Sequence, residues 1–496
     1  MKPVGVLLFL LAVMGGLAVL GALMPADGIR LAEGFTLDLP SPREMLFPQE
    51  EKKVDISDIL AIATDSSAVR SDSLALAGTD TITGNDTLKF VFDESKLPPL
   101  EERMALHYPN GDKSVLHPLF AALESAGGGR RPIRIMHYGD SQLEGDRITA
   151  YLRNKMQTQF GGSGPGLIAV ADIVPSFSVD RTISDNWIRY SAMGRKDRTQ
   201  HHDRFGALST FSRFTPILPD TVALDTVVST ATVTLSGAPR AYGKARTFTT
   251  CKLYYGWHRA PLTLEMKQDG EVISTEVIEP ADKLLIREWK FAAAPKEITL
   301  TFSGTDSPDV YGIALDGGSG LGVDNIAARG AAGYEFRRAD QQVLRGMYDD
   351  LDVKLLILQY GGNVLPNLKS AEEAAQYGRF FGAQLTRFKQ LIPGVSIIVI
   401  GPSDMSIKEG DNYVTRPFLE DVRDALKKNT LAQGGVFWDL YEAMGGENSM
   451  VSWVTADPPL AATDYTHFSP PGAKKVGELF YTALINDFAA YHRAKE

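Results

Sequence analysis

The sequence lacks features that define several functional classes. It has one cysteine, Cys251, so an intramolecular disulfide, a cysteine-ligated zinc site and an iron–sulfur cluster are excluded. It has no excess of positive charge: the formal net charge is -10, and an acidic chain gains nothing from counterion release on DNA or RNA. No internal repeats are visible. We therefore expect no nucleic-acid partner, no metal and no cofactor, and we expect Cys251, within a strand-like run, to be buried.

Charge is also absent from the apolar run Val4–Met24, which follows Lys2. Its length suits one bilayer crossing. The residues around Met24–Ala26 make a poor signal-peptidase site, which favours an uncleaved anchor over a cleaved signal peptide. Residues 1–26 are thus predicted to be a membrane anchor or signal peptide. Either reading predicts an extracytoplasmic (periplasmic) protein, anchored to the inner membrane by this helix or secreted after cleavage; a buried core helix is the weaker alternative.

The remaining chain divides into regions of different composition. Residues 27–100 are rich in Ser, Thr, Asp and Pro and are predicted to be a linker. In 101–172 and 318–496, buried-strand patterns such as Leu355–Leu358 and Val395–Ile400 alternate with helical patterns such as Ala371–Leu391. Continuous apolar strands separated by helices are typical of a parallel sheet covered on both faces. These two parts therefore predict one α/β domain.

Residues 173–317 show a different pattern, which interrupts this domain. Short alternating runs such as Thr226–Leu235 and Leu262–Met266 are typical of an antiparallel sandwich or jelly roll, and Gln268–Glu271 predicts a hairpin. We expect the aromatic residues of this insert to lie mainly in its core, although exposed rings could stack on sugars. The adjacent His201 and His202 are interpreted as part of a solvated loop and not as metal ligands.

Four short segments carry candidate chemistry: Gly139–Gln142, Asn325–Gly333, Gly361–Asn363 and Asp464–His467. Each alone is most often a turn or a helix cap. Together they supply the groups of a nucleophilic site. A serine hydroxyl, Ser141, needs a base to take its proton, and His467 can act as that base. Asp464, three residues earlier, can reach the other ring nitrogen. Ser141 is predicted to begin a helix running to Phe160, which leaves its N–H free to meet a developing oxyanion.

The order of these four segments resembles the signature blocks of the SGNH hydrolases, also called GDSL esterases. The resemblance covers roughly residues 130–170 and 320–490. It implies a flavodoxin-like three-layer fold, Ser141, Asp464 and His467 as catalytic residues, and an oxyanion hole formed by Ser141, Gly330 and Asn363. The sequence departs from the family pattern at Gln142, where relatives have leucine, and at Val364, where many have aspartate.

A narrower resemblance concerns the substrate. The segment His137–Ser141, the glycine-rich stretch Phe160–Leu167 and the position of the β insert are similar to features of peptidoglycan O-acetylesterases that carry a carbohydrate-binding-module-like insert. This implies an acetylated envelope glycan as substrate. One alternative is an O-acetyltransferase that uses the same serine beside a membrane O-acyltransferase partner. Another is a non-catalytic glycan-binding protein. A lipase fits less well, since no hydrophobic lid segment is evident near the blocks.

Overall fold

The structure is a computed structural model that describes residues 3–24, 29–32, 35–37, 53–61 and 92–495, except 195, 225, 338 and 411. Its N-terminal elements are α1 (Pro3–Leu23), β1 (Ile29–Ala32), β2 (Phe35–Leu37) and α2 (Ser57–Ala61). Helix α1 is long and apolar enough to cross a membrane, and side chains such as Leu8, Phe9 and Met14 are exposed. An apolar N-terminal helix is therefore present, as the sequence predicted; signal sequences share this property.

The first part of the α/β domain contains β3 (Leu106–His107), α3 (His117–Ala126), β4 (Ile133–Gly139) and α4 (Thr149–Phe160). The insert follows with β5 (Gly166–Ile168), β6 (Val179–Ile183), β7 (Ile188–Ser191), β8 (Thr210–Arg213), β9 (Ser229–Gly237), β10 (Thr250–His258), β11 (Leu262–Gln268), β12 (Glu271–Ile278), β13 (Ala281–Lys290), β14 (Ile298–Gly304) and β15 (Asp309–Asp316).

The second part of the α/β domain contains β16 (Leu321–Ala327), α5 (Gln341–Leu351), β17 (Val353–Gln359), α6 (Ala371–Leu391), β18 (Ser396–Ile400), β19 (Ser406–Glu409), β20 (Asn412–Thr415), α7 (Leu419–Ala432), β21 (Val436–Trp438), α8 (Leu440–Ala443), α9 (Ser449–Thr455) and α10 (Pro470–Arg493). Short 3₁₀ helices lie at Glu94–Lys96, Glu102–Met104, Pro109–Gly111, Lys113–Leu116, Ser141–Asp146, Gly243–Arg246, Glu335–Arg337 and Gly362–Asn367.

The central sheet of the α/β domain has the order β16-β4-β17-β18-β21-β3, and all its pairs are parallel except β21 with β3. The sequence of β17 is continuously apolar because both faces of this strand are buried. Leu356 and Leu358 belong to the core on one face, and Leu355 and Ile357 to the core on the other. Helices α5, α6 and α7 pack on the first face, and α3, α4 and α10 on the second. The predicted three-layer fold is confirmed.

The insert is a sandwich of two antiparallel sheets, which confirms that prediction. One sheet has the order β13-β10-β15-β8-β7, with β5 also paired to β15, and the other has the order β12-β11-β14-β9-β6. Side chains from both, such as Leu253 and Leu300, fill the core between them. The predicted hairpin at Gln268–Glu271 is present, and Asp269 and Gly270 adopt the positive φ angles (52° and 90°) that its tight turn requires.

A buried ion-pair network joins the insert to the α/β domain. Arg134 of β4 donates two hydrogen bonds to Asp316 at the end of β15 (2.8 and 2.6 Å) and a third to Asp324 of β16 (3.1 Å). Asp324 Oδ1 also accepts a bond from the N–H of Leu167 in β5 (2.7 Å). Gly322 gives the guanidinium room, since a Cβ there would lie 2.1 Å from Arg134 Nη1. The insert is thereby fixed against the edge of the sheet that carries the candidate site.

Two described parts of the predicted linker contact the α/β domain. Ile56 and Ile59 are buried in its core, and the backbone N–H and carbonyl of Val54 both bond to Ser452 Oγ (2.8 and 2.7 Å). Phe92 packs edge-on against Phe488 of α10, with ring centroids 5.2 Å apart. Most other residues of that segment lie outside the described ones. These contacts arise where the polar composition is interrupted by isolated apolar side chains.

Candidate active site

Ser141 stands directly after β4, where the strand turns into a 3₁₀ helix. Asp140 caps this helix, since its Oδ1 accepts a bond from the N–H of Gln142 (2.9 Å). Gly139 lets the chain pass close to its neighbour, because a Cβ there would lie 2.9 Å from the carbonyl oxygen of Gln359. The sequence predicted a continuous helix to Phe160, and this was wrong. Glu144 is extended (ψ 141°) and Gly145 has a φ of 69°, so α4 begins only at Thr149.

The structure brings Ser141, His467 and Asp464 together in the predicted arrangement. Ser141 Oγ lies 2.9 Å from His467 Nε2, and His467 Nδ1 lies 2.7 Å from Asp464 Oδ2. Asp464 Oδ1 accepts bonds from the backbone N–H groups of Thr466 and His467, each 3.0 Å long. Burial raises the pKa of Asp464, but these hydrogen bonds outweigh it and hold that pKa below its ordinary value. An ionised Asp464 is suited to orient the imidazole and stabilise its charged form.

The segment that carries Asp464 and His467 is anchored on both sides. Ser469 caps α10 by accepting a bond from the N–H of Gly472 (3.2 Å). The β19–β20 hairpin covers the other side: the Tyr413 ring stacks on Tyr465 with centroids 3.5 Å apart, and Ser406 N–H donates to Tyr465 O (3.0 Å). Tyr465 itself has a φ of 53°. The orientation of the histidine therefore depends on both the last helix and this hairpin.

Gln142 connects the serine segment to the histidine segment. Its Nε2 donates to the carbonyl of Thr466 (2.7 Å), and its Oε1 accepts from the N–H of Phe468 (3.2 Å). Arg147 adds a contact from Nη1 to the carbonyl of Phe468 (3.3 Å). In the sequence, Gln142 stands out only as a departure from the family pattern, and no local signal indicates these two bonds. A leucine could make neither of the two hydrogen bonds.

The three predicted oxyanion donors lie in one cavity of about 670 Å³ with Asp464 and His467, which together with Ser141 form the candidate catalytic triad. Among the described residues, the N–H groups of Ser141 and Gly330 have no protein acceptor. Gly330 has a φ of 75°, which suits glycine. The Asn363 amide differs: its Nδ2 donates to Asp140 Oδ2 (2.8 Å) and to the carbonyl of Ala331 (3.1 Å). An oxyanion would have to compete with one of these acceptors for Asn363.

Asp140 is buried beneath the serine. Burial raises its pKa to about 6, although bonds from Gln142 N–H and Asn363 oppose the shift. Below it, His137 of β4 is fully buried between Gln359 Oε1 (3.1 Å from Nε2) and Thr149 Oγ1 (3.1 Å from Nδ1). Burial lowers the His137 pKa to about 3, so this ring stays neutral. The His137 of the sequence motif thus supports the floor of the site and does not reach the cavity.

Other predictions concern residues away from the triad. Cys251 is buried in the sandwich core, as predicted. Tyr254, Tyr255, His258 and Trp289 are buried too. Trp257 is only partly buried and lines a surface cavity, with the Arg204 guanidinium 5.0 Å from its ring centroid.

His201 is exposed, as its interpretation as part of a solvated loop predicts, but His202 is not. His202 stacks on Phe211 (centroids 5.0 Å apart), lies 3.4 Å from Asp309 and is 13% exposed. Its partners, Phe211 in β8 and Asp309 in β15, are brought to it by the fold of the insert, which local sequence does not reveal. Within the described part of the chain, no group of three or more His, Cys, Asp and Glu side chains is placed to hold a metal ion.

Neither a protein-family model nor a curated protein matches this chain. A solved structure of a peptidoglycan O-acetylesterase is similar over 75% of this chain and 96% of its own, with a TM-score of 0.59 and 20% identity. The class that the fold and the site define is therefore an α/β protein of the SGNH-hydrolase fold. The extensive coverage of that structure means that the similarity spans both the α/β domain and the insert.

Two further solved structures are more distant. A carbohydrate esterase family 2 enzyme with a carbohydrate-binding domain, from Corynascus thermopiles (Myceliophthora fergusii), is similar over 49% of this chain and 92% of its own, with a TM-score of 0.26 and 11% identity. A GDSL-like lipase from Parabacteroides merdae is similar over 33% and 72%, with a TM-score of 0.25 and 16% identity. Scores this low support no inference about this chain.

Proposed function

We propose that this chain is a serine esterase that removes O-acetyl groups from a cell-envelope glycan. The observation that carries the proposal is the hydrogen-bonded series from Ser141 Oγ through His467 to Asp464. The glycan substrate is supported by the fold shared with a peptidoglycan O-acetylesterase. Helix α1 supports an extracytoplasmic protein held at a membrane. A glycan-binding protein without catalysis would not need the three side chains in this alignment.

In the acylation half of the reaction, Ser141 Oγ attacks the acetyl carbonyl carbon while His467 Nε2 takes the hydroxyl proton. Asp464 stabilises the imidazolium that forms. The carbonyl oxygen becomes an oxyanion that the N–H groups of Ser141 and Gly330 can meet; each such donor contributes roughly 3 kcal/mol in typical enzymes. Asn363 is the third proposed donor. The intermediate then expels the sugar oxygen, which receives the proton from His467. The acetyl group remains bound to Ser141 Oγ.

In the second half, water attacks the acetyl-serine and His467 takes its proton. Collapse of this intermediate releases acetate and returns the proton to Ser141 Oγ. If a glycan hydroxyl attacks in place of water, the same residues perform O-acetyl transfer. A membrane-held chain could then act beside a membrane O-acyltransferase, and the two outcomes differ only in the acceptor.

The test uses the full-length chain in dodecyl maltoside, because a fragment beginning near Leu100 would lose the docked residues around Ile59. Wild type, Ser141→Ala and Ser125→Ala are incubated with 4-nitrophenyl acetate and an oligosaccharide acceptor. Ser125 lies on the exposed side of α3, where its hydroxyl bonds only to backbone carbonyls. We expect free acetate from wild type and Ser125→Ala and none above background from Ser141→Ala.

Mass spectrometry of the products separates the alternatives. Acetylated oligosaccharide in excess of free acetate would establish the transferase instead. Equal turnover by Ser141→Ala and wild type would contradict the assigned nucleophile. Absence of turnover by every variant, with oligosaccharide binding retained, would favour the non-catalytic alternative.

A further inference from the structure

A second cavity adjoins the catalytic one. It has a volume of about 700 Å³ and lies between the insert and the α/β domain, and we call it the interdomain cleft. The two cavities share Glu144 and Arg329, which form a two-bond ion pair (2.7 Å each). A polymer whose acetylated sugar lies at Ser141 could therefore extend over this ion pair into the interdomain cleft.

Five arginines and four carboxylates line the interdomain cleft. Three of the arginines are matched with carboxylates. Arg153 bonds to Asp146 (2.6 Å), Arg240 lies 2.8 Å from Asp180, and Arg329 is held by Glu144. These pairs leave one carboxylate, that of Asp172, for the two remaining arginines, Arg181 and Arg189.

Arg181 and Arg189 are incompletely paired. Arg181 donates to the carbonyl of Ala169 (2.7 Å), but its guanidinium is 4.0 Å from Asp172, and its side chain is 14% exposed. Arg189 Nε is buried, and no described residue accepts a hydrogen bond from it. Burial lowers the pKa of both groups, and the charge of Arg189 contributes to the shift at Arg181. Because a buried charge is costly unless it is paired, this site is suited to an additional anion.

Arg416, at the catalytic cavity, also has a guanidinium N–H donor without a partner among the described residues. It lines that cavity with Ser141 and His467, and its buried Nε has no hydrogen-bond partner in the described part of the chain. Guanidinium groups bind carboxylates through paired N–H donors, and they do so more specifically than lysine. Cationic groups with unused donors thus lie in both cavities of a protein whose net charge is -10.

We infer that the substrate is an acidic glycan, an O-acetylated polysaccharide with carboxylates on its sugar residues, and that Arg189 together with Arg181 binds one of these carboxylates in the interdomain cleft. This inference rests on the proposed esterase function. Arg416 would meet a second carboxylate close to the acetylated sugar. The net charge of -10 disfavours binding of such a polymer, so its binding depends on these arginines.

The test compares two substrates on the full-length chain in dodecyl maltoside. One is chemically O-acetylated trigalacturonate, and the other is the same acetylated trisaccharide with every carboxyl then converted to a primary amide, which removes the charge and adds no new acetyl ester. Acetate release gives kcat/KM for each. We expect wild type to prefer the acidic substrate. In Arg189→Gln the ratio of kcat/KM for the acidic substrate to that for the neutral one should be about tenfold smaller, the usual effect of losing one charge-assisted hydrogen bond. The ratio is independent of how much of a variant is correctly folded.

Arg240→Gln is the matched control. Arg240 lines the same cleft, but Asp180 and the carbonyl of Ser176 already engage it, so its variant should keep the wild-type ratio. Equal kcat/KM on the two substrates, or an unchanged ratio in Arg189→Gln, would overturn the inference even if the protein is an esterase. If neither substrate nor an aryl acetate is hydrolysed, the proposed function fails. Calorimetry of trigalacturonate and its triamide then still decides whether the cleft prefers the acid.

Discussion

Gln142 holds His467 from both sides along the chain. Its amide donates to the carbonyl of the preceding residue and accepts from the N–H of the following residue. Gln142 is itself adjacent to Ser141, so one side chain links the backbone around His467, the proposed base, to the segment of Ser141, the proposed nucleophile. The distance of 2.9 Å between Ser141 Oγ and His467 Nε2 depends on this link as well as on Asp464. Gln142 is thus a positioning residue.

Replacing Gln142 with leucine, the residue typical of the family, should remove both hydrogen bonds and loosen the histidine segment. We expect kcat for 4-nitrophenyl acetate to fall about 10- to 100-fold, corresponding to one or two lost hydrogen bonds, while KM changes little. Steady-state kinetics on the full-length chain measures both constants. Gln142→Glu keeps an acceptor for Phe468 N–H and loses the donor to Thr466. Its kcat should therefore lie between that of wild type and that of Gln142→Leu. A leucine variant with wild-type kcat would show that Asp464 and the β19–β20 hairpin position His467 unaided.

Asp464→Asn tests the triad without breaking its loop. The Asn oxygen can still accept the two backbone N–H bonds that Asp464 Oδ1 accepts, so the segment keeps its conformation. The negative charge facing His467 Nδ1 is lost. In triads of this type the change lowers kcat by about 10⁴-fold. We expect a loss of that order for aryl acetate hydrolysis, with unchanged thermal unfolding. A loss below tenfold would mean that Asp464 does not assist the base.

The raised pKa of Asp140 predicts a pH-dependent stability. Burial raises it to about 6 from an ordinary value of 3.8. The folded state therefore holds the proton of Asp140 more tightly than the unfolded chain does. The resulting contribution to the free energy of unfolding is fully present below about pH 4 and is lost as the pH rises through 6. Relative to Asp140→Asn, the free energy of unfolding of wild type should fall by roughly 2–3 kcal/mol between pH 4 and pH 7. Urea denaturation followed by tryptophan fluorescence measures it. A difference independent of pH would contradict the shift.

The parts of the fold that could be predicted were those with one clear periodicity. Helix α6 was predicted with its observed bounds, because its apolar residues repeat at helical spacing between a Ser370 cap and the end of the pattern. Strand β15 was missed. It is buried on both faces, with Val310 and Ile313 facing the sandwich core and Tyr311 and Ala314 facing the α/β domain, so its sequence does not alternate. Unlike β17, it also lacks a continuous apolar run, because Gly312 interrupts it.

The candidate site divides in the same way. Ser141, Asp464 and His467 could be predicted, because the reaction requires those residue types and their order along the chain resembles that of the SGNH signature blocks. The contacts of Gln142, the Glu144–Arg329 ion pair and the bonds from Asn363 to Asp140 and Ala331 could not be predicted. Their partners are backbone groups or side chains from distant segments, such as the carbonyl of Thr466, which lies 324 positions from Gln142. Nothing in the local sequence indicates which glutamine faces which loop.

The docking of residues 53–61 predicts that this part of the N-terminal segment stabilises the α/β domain. Ile59 is fully buried among its core residues, while its neighbour Leu60 is 41% exposed. Ile59→Ala leaves a cavity and should lower the free energy of unfolding by about 2–4 kcal/mol, as is usual for buried aliphatic side chains. Leu60→Ala, the matched control, should change it by less than about 0.5 kcal/mol. Urea denaturation of the full-length variants measures both. Equal small effects would mean that the segment is not held against the domain in solution; a large effect at Ile59 alone would show that a chain truncated at Leu100 loses part of its core.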